Sequence, residues 1–353
     1  MLARQIGKLL RHSYSRAIVN CRNVSSGNVE ADAAERDPAP FFFDKEVQKS
    51  LRRLTTVDYK KVFRPRMDGH RLRRPEYKFM TDEELQAAMD AAKRKANRYL
   101  QMPPVVKQRS EITTVLVKDA ALLDHDTVKY VFTDITFGLK DRERIVVVRE
   151  PDGTLRHANW QERDRLMQTY FPKPGKDIRK PRMFGGKYLE SLLERSKYEF
   201  TLDRACIQFD PDDPDYQAVT RAVYERINLE KHFEALRSTR HFGPMVFHLV
   251  WTSNIDNLLC EMIETDRMED AVLLIRLYHK IHPTAESAVN RCKDDSSDEE
   301  IVMHYARFDS ARTTTIEKLV QSYKELHQQR KLLEEGIKKA HGLTSNQVET
   351  DKV

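Results

Sequence analysis

The spacing of apolar and polar positions divides the chain into helical stretches around one extended region. Val47, Leu51 and Leu54 fall at helical spacing after Asp44 and predict a short helix behind the aromatic run Phe41, Phe42 and Phe43. Residues 60–74 show no clear period and are broken by Pro65 and Gly69, with Pro75 next. Thr81 followed by Glu84 is a capping box, in which each side chain can satisfy the other residue's backbone N–H. The helix it opens runs to about residue 101 and stops before Pro103-Pro104. Its stripe of Leu85, Ala88, Met89, Ala92, Ala96 and Tyr99 is narrow and alanine-rich, suited to close packing on a partner helix.

The period then changes. Residues 128–134 and 144–149 are β-branched and aromatic runs, and Pro151-Asp152-Gly153-Thr154 is a turn leading to a third short strand over 154–158. This predicts an antiparallel meander of about three strands. Asn159 can cap a helix with Glu162 three residues on, ending near Phe171-Pro172 and laid on one sheet face. From Gly186 onward the signals are helical. Asp213-Pro214 reads as an N-cap with proline at the first helical position. A helix starting at Pro244 is apolar on nearly all sides and so belongs inside. Asn254 can cap the next, and Asp266 with Glu269 the one after, ending before Pro283. Short turns between them imply antiparallel hairpins, and no repeat of roughly 30–45 residues marks a solenoid.

Asp294, Asp295, Asp298, Glu299 and Glu300 around Ser296-Ser297 read as a solvated acidic loop. The last helix spans about 310–340, with Ile316, Leu319, Tyr323, Leu326, Leu333 and Ile337 at heptad spacing and Arg330 as the polar intruder. Gly336 weakens it and Gly342 can end it. Such a seam docks either on its own domain or on another protein.

The fold class expected is α+β, predominantly α-helical: helical hairpins, a small antiparallel β-meander and a long C-terminal helix. Its segments are an address (1–24), a linker (25–40), a helical and basic region (41–110), the sheet with its helix (111–172), a basic loop (173–187), helical hairpins (188–283), an acidic linker (284–308), the long helix (309–342) and a polar tail (343–353).

Composition sharpens this. Charged residues are 33% and hydrophobic ones 40%, which favours small cores under a large wet surface. Glycine is only 11 of 353 residues, against glycine-rich phosphate loops. Net charge is +6, and residues 1–29, with Arg4, Lys8, Arg11, Arg16, Arg22 and no acid, supply five of the six. The remainder is nearly neutral, so nucleic-acid contact has to come from local patches. The basic, hydroxyl-rich, acid-free start has the composition of a mitochondrial transit peptide cut near Val24, the alternative being a plain basic tail. The most apolar stretch, residues 245–251, is far shorter than the ~20 residues of a membrane span. Cys21, Cys206, Cys260 and Cys292 form no CxxC pair, which suits a reducing compartment.

Little in the chain points to catalysis. Gly185-Gly186-Lys187 is followed by Tyr188 and lacks the first glycine and the hydroxyl of a P-loop. No G-x-S-x-G or H-E-x-x-H motif occurs. His279 and His282 lack a third ligand nearby in sequence, and the acidic run 210–215 lacks the glycine and distal glutamate of a calcium loop. No catalytic residue, metal or cofactor is therefore expected. Charge does stand out. Residues 60–74 hold Lys60, Lys61, Arg64, Arg66, Arg71, Arg73 and Arg74 against Asp68 alone, with Tyr59, Phe63, Tyr77 and Phe79 flanking or interleaved. Residues 173–187 hold Lys173, Lys176, Arg179, Lys180, Arg182 and Lys187 against Asp177 alone. Extended basic segments of this kind can lie along phosphate backbones, or can be merely solvated loops.

Several strings together resemble one family. They include Lys129-Tyr130-Val131-Phe132-Thr133-Asp134-Ile135, Val147-Val148-Arg149-Glu150-Pro151 and Gly153-Thr154-Leu155-Arg156. Trp160, Glu162-Arg163-Asp164-Arg165, Tyr170-Phe171-Pro172 and Leu236-Arg237-Ser238-Thr239-Arg240-His241-Phe242-Gly243 continue the series, as does Leu277-Tyr278-His279 with His282-Pro283. In this order, over about 41–290, the chain resembles the animal mitochondrial ribosomal small-subunit protein twenty-two family. The resemblance implies a non-catalytic structural component of the mitochondrial small ribosomal subunit in the matrix. Its partners would be small-subunit ribosomal proteins and small-subunit ribosomal RNA, with no membrane and no small-molecule substrate. The residue assignments rest on charge and spacing alone: Lys60, Lys61, Arg64, Arg66, Arg71, Arg73, Arg74, Lys173, Lys176, Arg179, Lys180 and Arg182 toward RNA, and Ile316, Leu319, Tyr323, Leu326 and Leu333 toward protein. The competing reading is a matrix enzyme or free RNA-processing factor with an unrecognised site.

Overall fold

The computed structural model describes residues 36–64, 77–123, 126–290 and 297–341. The transit-like segment, Arg66, Arg71, Arg73 and Arg74, Cys21 and Cys292, Asp294 and Asp295, and the tail lie outside them. The elements below all belong to the unit that begins at Pro38.

Its first part is helical: α1 (Ala39–Phe42), α2 (Lys45–Thr55), α3 (Tyr59–Val62) and α4 (Asp82–Tyr99). The Asp44 carboxylate caps α2 by accepting from the Glu46 and Val47 N–H groups. Both halves of the Thr81–Glu84 capping box form at the start of α4. Next comes a four-stranded antiparallel sheet of β1 (Val115–Lys118), β2 (Tyr130–Thr133), β3 (Val146–Arg149) and β4 (Thr154–His157), in spatial order β1-β4-β3-β2. Three strands are those expected. The additional β1 lacks alternation and is legible only through its pairing with β4. Gly153, at φ +79°, makes the tight turn between β3 and β4, and a Cβ there would run into the Asp119 carbonyl.

Helix α5 (Trp160–Tyr170), started by the Asn159–Glu162 capping box, covers one sheet face. A small core of Val146, Val148, Ala158 and Met167 lies between them. Arg144 is buried beside it, stacked on Phe171 at 4.1 Å and donating to the Asp134, Thr136 and Leu139 carbonyls. Tyr130, Phe132, Val147, Leu155 and Val117 share the other face through the register, and Tyr130, Phe132 and Val117 on it are exposed.

The larger core is helical. It contains α6 (Gly186–Glu194), α7 (Tyr198–Gln208), α8 (Pro214–Glu230), α9 (Phe242–Trp251), α10 (Asp256–Glu264), α11 (Met268–Ile281), α12 (Glu286–Val289), α13 (Asp298–Phe308) and α14 (Thr313–Ala340). α9 is central, with Phe242, Met245, Val246, Phe247 and Val250 fully buried. It packs on α2 and α11, while α11 packs on α10 and α13, and α14 closes over α10 and α13. Phe42 meets Phe247 edge-on at 5.2 Å, which joins the N-terminal helices to this core.

Two expected caps are not used. Asn254 follows Ser253, which has φ 54°, and its N–H bonds back to the Leu249 carbonyl. Asp266 itself sits at φ 61°, and the Arg267 N–H bonds to the Met262 carbonyl. These polar residues close the preceding helix with a left-handed turn instead of opening the next. Nor are Asp298, Glu299 and Glu300 a solvated loop: they are the first turn of α13, opened by a Ser297–Glu300 capping box, where acids favour the helix dipole.

Candidate nucleic-acid interface

The basic segment expected as a loop over 173–187 is irregular only to residue 181: Arg182–Phe184 form a 3-10 turn and Lys187 already lies in the first turn of α6. The backbone of the irregular part is held firmly. Gln168 donates to the Lys176 carbonyl at 2.8 Å and accepts from the Lys173 N–H at 3.1 Å. Gln208, at the end of α7, accepts from the Asp177 N–H at 3.0 Å and donates to its carbonyl at 2.9 Å. Arg204 reaches the Gly175 carbonyl and the Asp177 carboxylate. Amide side chains thus replace the ladder that a helix would supply.

This scaffold divides the cations into two sets. Lys173 pairs with Asp141 at 3.1 Å and Lys180 with Asp215 at 2.6 Å. Lys176 is mostly covered and faces Asp164 at 3.9 Å. Arg179, Arg182 and Lys187 are exposed and have no carboxylate partner among the described residues. The segment rims a groove of about 880 Å³ whose floor includes Arg109, Trp160, Asp164 and Asp213. Arg109 bridges Asp213 at 2.5 Å and Asp164 at 3.4 Å and stacks on Trp160 at 4.5 Å. Asp213 also caps α8 through the Asp215 N–H at 2.8 Å. Burial raises its carboxyl above the usual range, against the opposing pull of Arg109. The groove is of mixed charge, and its outer rim is the basic part.

The first basic segment is only partly described. Lys61 donates to the Glu234 carbonyl at 3.1 Å as well as pairing with its carboxylate, and Arg64 pairs with Glu199. Lys60 is exposed, and its side chain has no carboxylate partner among the described residues. Reading α4 for its alanine stripe missed the basic half of that helix, Lys93, Arg94, Lys95 and Arg98, which a count of charge along its last two turns could have found.

The heptad seam of α14 is used in two ways. Ile316 and Val320 are buried, and Leu319 and Tyr323 pack against the same helical core. Beyond them Leu326, Leu333 and Ile337 are 55%, 66% and 49% exposed, so they touch little of this chain. Arg330, the polar intruder, pairs with Asp266 and pins the helix where it leaves the core.

Groups that resemble reactive centres have other uses here. The Ser287 hydroxyl donates to Asp309, shares a hydrogen bond with His279 at 2.7 Å, and is fully buried. His282 bonds to the Val250 carbonyl at 2.8 Å, so the two histidines do not converge. Asp210 and Asp212 of the acidic run face Arg142. No group of His, Cys, Asp and Glu among the described residues is arranged to hold a metal. Burial raises the thiols of Cys206 and Cys260, which leaves them weak nucleophiles. No helix among the described residues is long and apolar enough to cross a membrane.

Comparison with known proteins gives matches over most of the chain. Residues 40–283 match the family model described as mitochondrial 28S ribosomal protein S22. The small ribosomal subunit protein mS22 of Mus musculus is 38% identical over 305 residues, 86% of this chain and 84% of that protein. Its namesake from Bos taurus is 38% identical over 306 residues, with the same coverage.

Proposed function

This chain belongs to the mitochondrial 28S ribosomal protein S22 family, and we propose that it acts there by holding neighbouring proteins and small-subunit RNA in fixed relation. It is a structural, non-enzymatic constituent of the mitochondrial small ribosomal subunit. Family membership carries the reading, and the division of charges supports it.

The paired cations Lys173, Lys176 and Lys180 fix the basic segment to the body, while Arg179, Arg182 and Lys187 remain for phosphates. Phosphate contacts position a protein on RNA without reading sequence, so a clamped segment with outward cations suffices. Lys60, Arg66, Arg71, Arg73 and Arg74 extend the phosphate-binding role by charge, while Lys61 and Arg64 are held by Glu234 and Glu199 and tie that segment to the body. Protein neighbours meet the chain on its exposed apolar surfaces, the outer half of α14 and the open sheet face. The N-terminal segment directs import into mitochondria.

The test is sedimentation of a mitochondrial lysate in sucrose with Mg²⁺, then with EDTA or RNase. The chain should travel with the small subunit and shift when the RNA is degraded. Sedimentation only as a free single chain refutes the reading. Neutralising Arg71, Arg73 and Arg74, or Arg179, Arg182 and Lys187, should make incorporation fail at lower salt than in wild type. Unchanged incorporation across a salt series removes those residues from the interface.

A further inference from the structure

The C-terminal half of α4 and the short helix α3 combine into a surface that neither basic segment describes. The Tyr59 and Phe63 rings lie parallel with centroids 6.2 Å apart, and Phe63 meets Tyr99 edge-on at 5.9 Å. The Lys95 ammonium stands 5.9 Å from the Phe63 centroid and 5.8 Å from that of Tyr99. Ala96 is buried where α3 packs on α4, and this packing brings the aromatic row together. Tyr59 and Tyr99 nevertheless remain 44% and 43% exposed.

Charge surrounds the row on one side. Lys60, Arg94, Lys95 and Arg98 have no carboxylate partner among the described residues. The nearby acids are engaged: Glu199 with Arg64, Asp90 with Lys93 at 3.6 Å, and Asp58 in capping α3. The acidic first turn of α4, Asp82, Glu83 and Glu84, lies at the far end of an 18-residue helix. Beside Arg98 and Tyr99 the surface deepens into a cavity of about 370 Å³ reached also by Arg240 and Met102.

Exposed ring faces set among cations that have no carboxylate partner among the described residues are the chemistry that binds unpaired nucleotides, with bases stacking on the rings and phosphates meeting the cations. Duplex RNA buries its base faces in its own stack and could use the cations only. An acidic protein segment would likewise leave the tyrosine faces without a role. We propose that this surface binds a single-stranded stretch of RNA, stacking bases on Tyr59 and Tyr99 and seating phosphates at Lys60, Arg94 and Arg98. The proposal deepens the ribosomal reading by naming the RNA conformation and the residues, and it rests on that reading for the source of the RNA.

The test uses the full chain and a labelled oligouridylate of about ten nucleotides, within the ~4–16 typical of such sites. An RNA duplex of the same length and polyglutamate serve as competitors. Wild type should prefer oligouridylate over both. Tyr59→Leu with Tyr99→Leu should weaken binding about tenfold or more with the salt slope unchanged, while the Phe replacements bind like wild type. Arg94→Gln with Arg98→Gln should instead reduce the salt slope by about 1.4, from ~0.7 per phosphate contact on a single strand. Photo-crosslinking of 4-thiouridine oligomers to the unaltered chain should map to peptides containing Tyr59 and Tyr99, independently of any variant's folding. Leu variants that bind like wild type, equal affinity for the duplex or polyglutamate, or crosslinks confined elsewhere overturn the proposal. A chain that fails these tests yet sediments with the small subunit leaves the ribosomal reading intact, whereas loss of that sedimentation removes the reading itself.

Discussion

Replacing Glu162 by Gln should destabilise the sheet and its helix at neutral pH, and the loss should disappear in acid. Glu162 joins three elements. Its carboxylate accepts from Arg156 of β4 at 2.9 and 2.8 Å, from the Asn159 N–H at 3.0 Å, and pairs with Lys129, just before β2, at 3.1 Å. The Arg156 hydrogen bond is the largest of the influences that hold its carboxyl at about 2, well below the ordinary 4.5, with burial opposing. The side chain is only 20% exposed, so solvent screening is limited. A depression of that size corresponds to about 3 kcal/mol of stabilisation in the ionised form. Glutamine can still complete the capping box, so the substitution isolates charge from capping. Arg156 and Lys129 also bind Glu150 and would turn fully to it, recovering part of the loss. The expected difference at neutral pH is therefore between ~1 and ~3 kcal/mol.

The sign follows from the direction of the shift. Because the folded-state pKa lies below the unfolded one, the stabilisation is complete above about 4.5 and is lost as pH falls through about 2. Two tryptophans allow the region to be followed separately. Trp160 opens α5 and donates to the Ser110 carbonyl at 2.7 Å, whereas Trp251 lies in the helical core against Phe247. In a Trp251→Phe background, urea unfolding followed by Trp160 fluorescence reports on the sheet. The stability difference between the chain with Glu162 intact and its Glu162→Gln variant should shrink toward zero from about pH 4.5 to about pH 2. A difference that stays flat across that range, or none at neutral pH, refutes the assignment of Glu162 as the charged joint.

Two further outcomes follow from the same geometry. Gly153→Ala should cost about 2 kcal/mol or more, because a side chain at positive φ meets the Asp119 carbonyl; the loss should appear in the Trp160 transition and leave that of Trp251 in place. Leu326→Ser with Leu333→Ser should change the chain's own unfolding by no more than about 0.5 kcal/mol, since both are exposed, yet it should weaken salt-resistant incorporation into the small subunit, and full incorporation would exclude that helix half from the protein interface.

What could be read from the chain depended on how local the determining interaction is. The boxes at Thr81–Glu84 and Asn159–Glu162 close within four residues, and both form. The same signal at Ser297–Glu300 was obscured because its acids invited a reading as solvated charge. Asn254 and Asp266 failed as N-cap predictions because the polar residues of a left-handed helix ending, Ser253-Asn254 and Asp266, resemble by composition a polar residue starting the next helix. The division of residues 173–187 into pinning and outward cations had no sequence signal. It depends on Asp141, Asp164 and Asp215, which approach only when the sheet unit and α8 come together. For the same reason the seam of α14 could not be apportioned: Ile316 and Leu333 have equal heptad standing, and only the length of α10 and α13 decides which is covered.

The two cores differ in what holds them, and that difference bears on the role in the subunit. The helical core rests on fully buried apolar side chains and needs no partner to account for its order. Among the described residues the sheet unit has an apolar core of only four buried side chains, and polar bridges join it to that body: Arg142 to Asp212 at 2.6 Å, and Arg109, which links Asp164 of α5 to Asp213 at the start of α8. Polar joints of this kind fix orientation more than they add stability. Removing Arg109 would leave the buried Asp213 without its cation and loosen the sheet against α8, displacing the basic rim that lies between them. The outward cations are thus held in register by a polar junction, and RNA bound across that rim would stabilise the orientation that binds it.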